Sequence, residues 1–206
     1  MSLQEISPDS ILEFWFGTSI DDPEALVARN AIWFAADEAF DQTVRDRFGA
    51  HLEQAARGDY KLWKLTPRGT LALIITFDQL PRNIYRSTPQ AFTYDERALA
   101  LCRDGVAMGI DRELELIERT FFYMPLEHAE DLDAQDKSLA CFEALDADAP
   151  DPLKKIIAAY LRYAVTHREI VRRFGRFPHR NLVLGRKSTP EEIEWIASDG
   201  NTFGQS

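Results

Sequence analysis

The sequence predicts an all-α fold: one domain over residues 1–206, built from about eight to ten antiparallel-packed helices. Three observations carry this. A residue with a short oxygen-bearing side chain precedes a proline six times, which is a helix-start device: the oxygen caps open N–H groups, and proline fits the first helical position, where its missing N–H costs nothing. Between these starts, apolar residues recur at helical spacing. No hairpin signal and no sustained apolar–polar alternation occurs.

The elements follow in order. Ser7-Pro8 and Asp22-Pro23 open the first two helices. Residues 39–57 carry Phe40, Val44, Phe48 and Leu52 on one stripe. Thr66-Pro67 opens a helix whose 71–77 run is apolar on nearly all sides, which predicts a central position. Thr88-Pro89 opens the next. Residues 113–122 read as a short helix that ends before Pro125, because proline pushes Met124 away from the α region. Residues 126–145 read as one helix, which places His128 in its first turn. After Asp151-Pro152, residues 153–174 align Ile156, Tyr160, Tyr163, His167, Ile170 and Phe174. Thr189-Pro190, with Glu192, forms a capping box. Gly58, Gly69, Gly105 and Gly109 fall near helix ends or turns.

A chain of 206 residues buries about 70% of its unfolded surface without disulfide or metal staples. The formal net charge of −10 excludes general binding to nucleic acid or to anionic membranes. Cys102 and Cys141 lack a CxxC spacing and read as small buried hydrophobes. Residues 1–10 show no apolar signal segment, and the apolar run at 71–77 is far too short for a span of about 20 residues, so a cytoplasmic protein is expected. No phosphate-loop, dinucleotide, nucleophile-elbow or zinc spacing is present, so neither cofactor nor metal is expected.

Three polar constellations stand out. The first is Asp78, Gln79, Arg82, Asn83 and Arg86 at the end of the central apolar helix. Asp78 and Arg82 are i,i+4 partners, which is also what a purely structural helix end needs. The second is the basic segment 170–190. It holds Arg172, Arg173, Arg176, Arg180, Arg186 and Lys187, with His179 and Asn181, and no acid, so the rest of the chain carries −16 against its six cations and the chain's −10. Fork-shaped guanidinium groups suit phosphate or carboxylate recognition; equally, the segment can dock on the five acids Glu127, Glu130, Asp131, Asp133 and Asp136. The third is Glu127, His128, Glu130, Asp131 and Gln135, where Glu130 or Asp131 could orient the imidazole as a general base; an acidic helix start is the bland alternative. An internal echo links the first two: Leu80-Pro81-Arg82-Asn83, then Arg86-Ser87-Thr88-Pro89, against Phe177-Pro178-His179-Arg180-Asn181, then Arg186-Lys187-Ser188-Thr189-Pro190. Each reads as a donor-rich turn closed by a new helix N-terminus, an anion site twice over. His167 and the aromatic group Phe14, Trp15, Phe16, Trp33 and Phe34 read as core, as do Trp63 and Trp195.

Long motifs also carry a family resemblance over nearly the whole chain: Phe14-Trp15-Phe16-Gly17; the stretch from Phe77-Asp78-Gln79-Leu80-Pro81-Arg82-Asn83 to Ile84-Tyr85-Arg86; Met124-Pro125-Leu126-Glu127-His128-Ala129-Glu130; Arg173-Phe174-Gly175-Arg176-Phe177-Pro178-His179-Arg180-Asn181; and Leu184-Gly185-Arg186-Lys187-Ser188-Thr189. The chain resembles the bacterial family known as domain of unknown function 924. The resemblance implies a tetratricopeptide-like helical-hairpin array with a concave face. It implies no activity, and it implies that the three polar motifs meet in space. The family pattern has an aromatic at Leu80, Leu at Met124 and Ser at Ala129, so no hydroxyl stands beside His128 here.

Three functions are therefore expected to compete. In the first, a scaffold binds an anionic small molecule or acidic peptide through Asp78, Arg82, Asn83, Arg86, Arg176, His179, Arg180, Asn181 and Arg186. In the second, an enzyme uses His128 as base, with Glu130 or Asp131 orienting it. In the third, the motifs only lock turns to helices and function lies on another surface.

Overall fold

The computed structural model describes residues 6–17 and 22–198, and among them nine α-helices and no strand. They are α1 (Pro8–Phe16), α2 (Pro23–Phe34), α3 (Glu38–Arg57), α4 (Pro67–Ile84), α5 (Asp95–Met108), α6 (Leu116–His128), α7 (Leu132–Asp148), α8 (Lys154–Phe174) and α9 (Pro190–Ser198). Short 3-10 turns lie between some of them, notably Pro89–Phe92 and Pro178–Arg180.

Four of the six proline devices cap α-helices. Ser7 accepts from the Ser10 N–H, Asp22 from Glu24, Thr66 from Gly69, and Thr189 with Glu192 closes a reciprocal box. Thr88 instead opens the 3-10 turn and donates its hydroxyl to the Tyr85 carbonyl. Asp151 starts a turn ahead of α8, whose N-cap is Leu153.

Two helix boundaries differ from the sequence reading, and for one reason. Prolines 81 and 125 lie inside α4 and α6 rather than at their ends. An interior proline costs about 3 kcal/mol, but residues 69–84 of α4 and 120–127 of α6 are buried throughout, and burial of their apolar side chains outweighs that cost. The predicted 126–145 helix breaks at Ala129, and α7 begins after its own N-cap, Asp131. His128 therefore ends α6 and does not start a helix. The 80–83 motif is likewise the last turn of α4, not a connecting turn.

Helix α4 is central, packed against α1, α3, α5 and α6, while α6–α7 and α7–α8 continue the run of consecutive pairs. The main core includes Trp15, Phe16, Trp33, Phe121 and Phe122. Trp33 donates its indole N–H to the Trp15 carbonyl at 2.8 Å. Phe34 departs from the core expectation and is half exposed. A satellite core of Ile170, Val171, Phe177 and Trp195 joins the end of α8 to α9. Cys102 and Cys141 are buried thiols. Among the described residues no helix is long and apolar enough to cross a membrane, and no group of three or more His, Cys, Asp or Glu could hold a metal ion.

Candidate functional site

The C-terminal end of α4, the last residues of α6 and the Pro178–Arg180 turn meet at one junction. Asp78 is fully buried there. Its Oδ1 lies 2.8 Å from His128 Nδ1, and its Oδ2 accepts from Gln79 Nε2 at 2.6 Å. Burial alone would raise the Asp78 pKa, but the Arg82 charge and then His128 carry it well below the usual carboxylate range. With Asp78 ionised, His128 Nδ1 carries the donated proton, which leaves Nε2 with its lone pair. The His128 side chain is 16% exposed and that of Asp95 22%, so the junction reaches solvent through these two groups.

Arg82, one turn beyond Asp78, forks onto Asp95 at the start of α5 with bonds of 2.9 and 3.1 Å. It also donates to the Asp78 carbonyl at 2.6 Å. Arg180 enters from the other side. It donates to the His128 carbonyl at 3.0 Å and lies 3.8 Å from Asp95. Its guanidinium stacks on Phe177 and Phe92, 4.4 and 4.8 Å from the ring centroids, and Arg82 approaches the same Phe92 ring at 5.7 Å. Burial and then the Arg82 charge lower the Arg180 pKa to about 10. Its Nε is buried without a hydrogen-bond partner among the described residues. A buried guanidinium with an unused donor beside an oriented histidine is costly as pure structure.

Beneath this lies a second acid–base pair. Glu127 Oε1 is 3.1 Å from His167 Nδ1, which is also 2.8 Å from the Tyr163 carbonyl, and the His167 and His128 rings are 6.3 Å apart. Burial, then nearby Asp78, pushes Glu127 up to about 8. Burial, then His128, holds His167 well below its ordinary value. The pair is therefore a neutral acid beside a neutral imidazole. Burial, then Arg82, also lowers His128, with Asp78 opposing. Burial thus outweighs the helix C-terminus, whose dipole favours imidazolium.

The remaining sequence-predicted residues take other places. Glu130 accepts the Phe177 N–H at 2.8 Å and a fork from Arg186 at 2.5 and 2.9 Å. Asp131 caps α7 and pairs with exposed Arg103 on α5 at 2.6 Å. The carboxylate on the His128 ring is thus Asp78, not Glu130 or Asp131. Asn83 and Arg86 both hold Asp41, each with a 2.8 Å bond. Asn181 and Arg176 both hold Glu192, at 3.3 Å and at 2.6 and 2.8 Å. The echo in sequence carries only partly into structure: each asparagine steadies a carboxylate, and Arg82 and Arg180 both turn toward Phe92 and Asp95. Arg86 shares Asp41 with Asn83, whereas its counterpart Arg186 goes to Glu130 and Glu192 takes Arg176, which precedes the repeat. His179 packs against Phe177 with centroids 5.6 Å apart, and its pKa is lowered to about 3, first by burial. The basic segment docks only partly on the acidic one: Arg186 reaches Glu130, whereas Arg173 and Arg176 take Glu191 and Glu192 of α9.

Sequence reasoning missed Asp95, Phe92 and the role of His167. Asp95 lies thirteen positions beyond Arg82, a separation set by the intervening 3-10 turn and by no helical repeat. Glu127 had a weak signal in its place beside His128.

The structure resembles that of a protein of unknown function, ATU0120 from Agrobacterium tumefaciens, at 34% identity and a TM-score of 0.77, covering 92% of this chain and 96% of that one. No curated protein matches the chain. Residues 11–200 match the model of the bacterial proteins of unknown function DUF924, and the chain belongs to that family.

Proposed function

We propose that the chain is a cytoplasmic protein that binds a small oxyanion, a carboxylate or a phosphate, at the junction of Arg82, Arg180 and His128, with His128 as the acid–base group facing it. An acidic peptide end would offer the same chemistry on a larger ligand. The supporting observation is the His128–Asp78 contact of 2.8 Å beside two arginines that share Asp95, with an Arg180 Nε left over. Perturbed titratable groups clustered in this way make the junction a functional-site candidate with a stated physical rationale. The consecutive pairing of helices supports a tetratricopeptide-like description of the scaffold.

A second reading has its own observation. Arg86, Arg176 and Arg186 each hold a carboxylate, so these outer arginines act as locks between segments. They are assigned that structural role here, and ligand contact is confined to the inner three residues.

Thermal unfolding with a panel of small carboxylates and phosphates tests the proposal. A binder raises the wild-type midpoint, because it stabilises only the native state. Arg180→Gln should fold and lose that shift. A panel that moves neither protein, together with a large loss of stability in Arg180→Gln, would leave only the structural lock.

A further inference from the structure

The charges that meet around His128 cancel one another. Asp78 and Arg82 come from α4, Asp95 from α5, Glu127 from α6 itself, His167 from α8, and His179 and Arg180 from the turn after α8. Glu130 and Arg186 close a pair of their own at the rim. Arg82 and Arg180 stand against the carboxylates of Asp78 and Asp95. Glu127 and the three histidines are neutral near pH 7, each first because burial penalises its charged form. The junction is thus balanced before any ligand arrives.

An oxyanion placed beside Arg180 would leave its charge, one unit for a carboxylate and two for sulfate, uncompensated among buried groups, which is costly where water is excluded. His128 can cancel one unit of it. Its Nε2 lone pair accepts a proton, and Asp78 on Nδ1 steadies the imidazolium that results. The same anion offsets the charges of Arg82 and Arg180, both of which now oppose protonation of the ring. We infer that the site takes its oxyanion together with one proton from solvent, bound at His128 Nε2, so that ligand binding and proton uptake are a single coupled event. This rests on the anion site proposed above. One N–H bond forms at Nε2, and no bond in the anion breaks. The neutral Glu127–His167 pair serves the coupling by adding no negative charge of its own beneath the ring.

Sulfate is the probe, because it stays fully ionised across the neutral range and any proton taken up must land on the protein. Calorimetric titration of wild type in two buffers of different ionisation enthalpy should give a heat that varies with the buffer, at about one proton per sulfate. The affinity should fall about tenfold per pH unit as pH rises above the depressed His128 value. In His128→Asn the buffer dependence should vanish. In 15N-histidine-labelled wild type, the His128 Nε2 resonance should move to its protonated position on adding sulfate, a readout independent of how the variant folds. Sulfate binding with no buffer dependence overturns the proton coupling and leaves the anion site standing, with Asp95 displaced in place of proton uptake. Buffer dependence that persists in a folded His128→Asn, or an unmoved His128 resonance, overturns the assignment to Nε2. No sulfate binding at any pH overturns the coupling and the anion site together.

Discussion

Asp78 is the residue on which the junction depends. It is fully buried and bonded to His128 and Gln79, with Arg82 3.3 Å away. Removing its charge leaves Arg82 short of a partner, and breaking a buried pair in this way costs about 3 kcal/mol. Asp78→Asn should therefore lower stability by that amount in chemical denaturation, and it should abolish any oxyanion-induced midpoint shift. Glu127 makes a pH prediction of opposite sense. Its folded pKa of about 8 lies above the ordinary 4.5, so between those values the folded chain holds more protons than the unfolded one. Its contribution is intact at low pH and is lost as pH rises through about 8. His128 and His167 are lowered, so their burial costs stability as pH falls below the ordinary 6.5. Melting curves of Glu127→Gln should show the histidine loss below pH 6.5 unchanged and the decline between pH 4.5 and about 8 removed; a decline identical to wild type would contradict the assignment. At this scale the sequence offered Asp78 and Arg82 because polar groups at the end of an all-apolar helix must find partners, and Arg180 because it lies in a guanidinium-rich segment without acids. It could not offer Asp95, whose link to both arginines is set by a 3-10 turn.

Helix starts were legible because capping is local chemistry: Ser7, Asp22, Thr66 and Thr189 each bond a backbone N–H within three residues. Helix ends around Pro81 and Pro125 were not, because tertiary burial there outweighs a local penalty. The misplaced end at Pro125 is what put His128 in a first turn and suggested the wrong carboxylate. The true break after His128 is held by Gln135, whose Nε2 donates to the carbonyls of Glu127 at 2.6 Å and Ala129 at 2.8 Å. Gln135→Ala leaves these buried carbonyls without that donor and should cost about 2 kcal/mol; amide exchange should rise across residues 127–132 more than elsewhere. The crossing of α5 and α6 has its own marker. A Cβ at Gly105 would lie 2.4 Å from the Phe122 ring, so Gly105→Ala should destabilise by about 1–3 kcal/mol through overpacking despite alanine's better helix propensity. A stabilised variant would contradict that packing.

Over the whole molecule, a chain of net charge −10 concentrates cations in one segment and then spends most of them on partners. Arg173, Arg176 and Arg186 tie α8, α9 and the loop between them to the body of the fold, and the satellite core of Phe177 and Trp195 forms under those ties. Arg180, with His179 beside it, turns inward to meet Arg82 and His128. Crystals grown with selenate test most directly whether that convergence is a ligand site, since the anomalous signal reports where an oxyanion sits. The expected result is a selenium peak about 4 Å from both Arg180 Nε and His128 Nε2, which puts a selenate oxygen within hydrogen-bond distance of each. Selenate found only on the outer surface, with the Arg82–Asp95 fork and the His128–Asp78 contact unchanged and no anion between them, would contradict it.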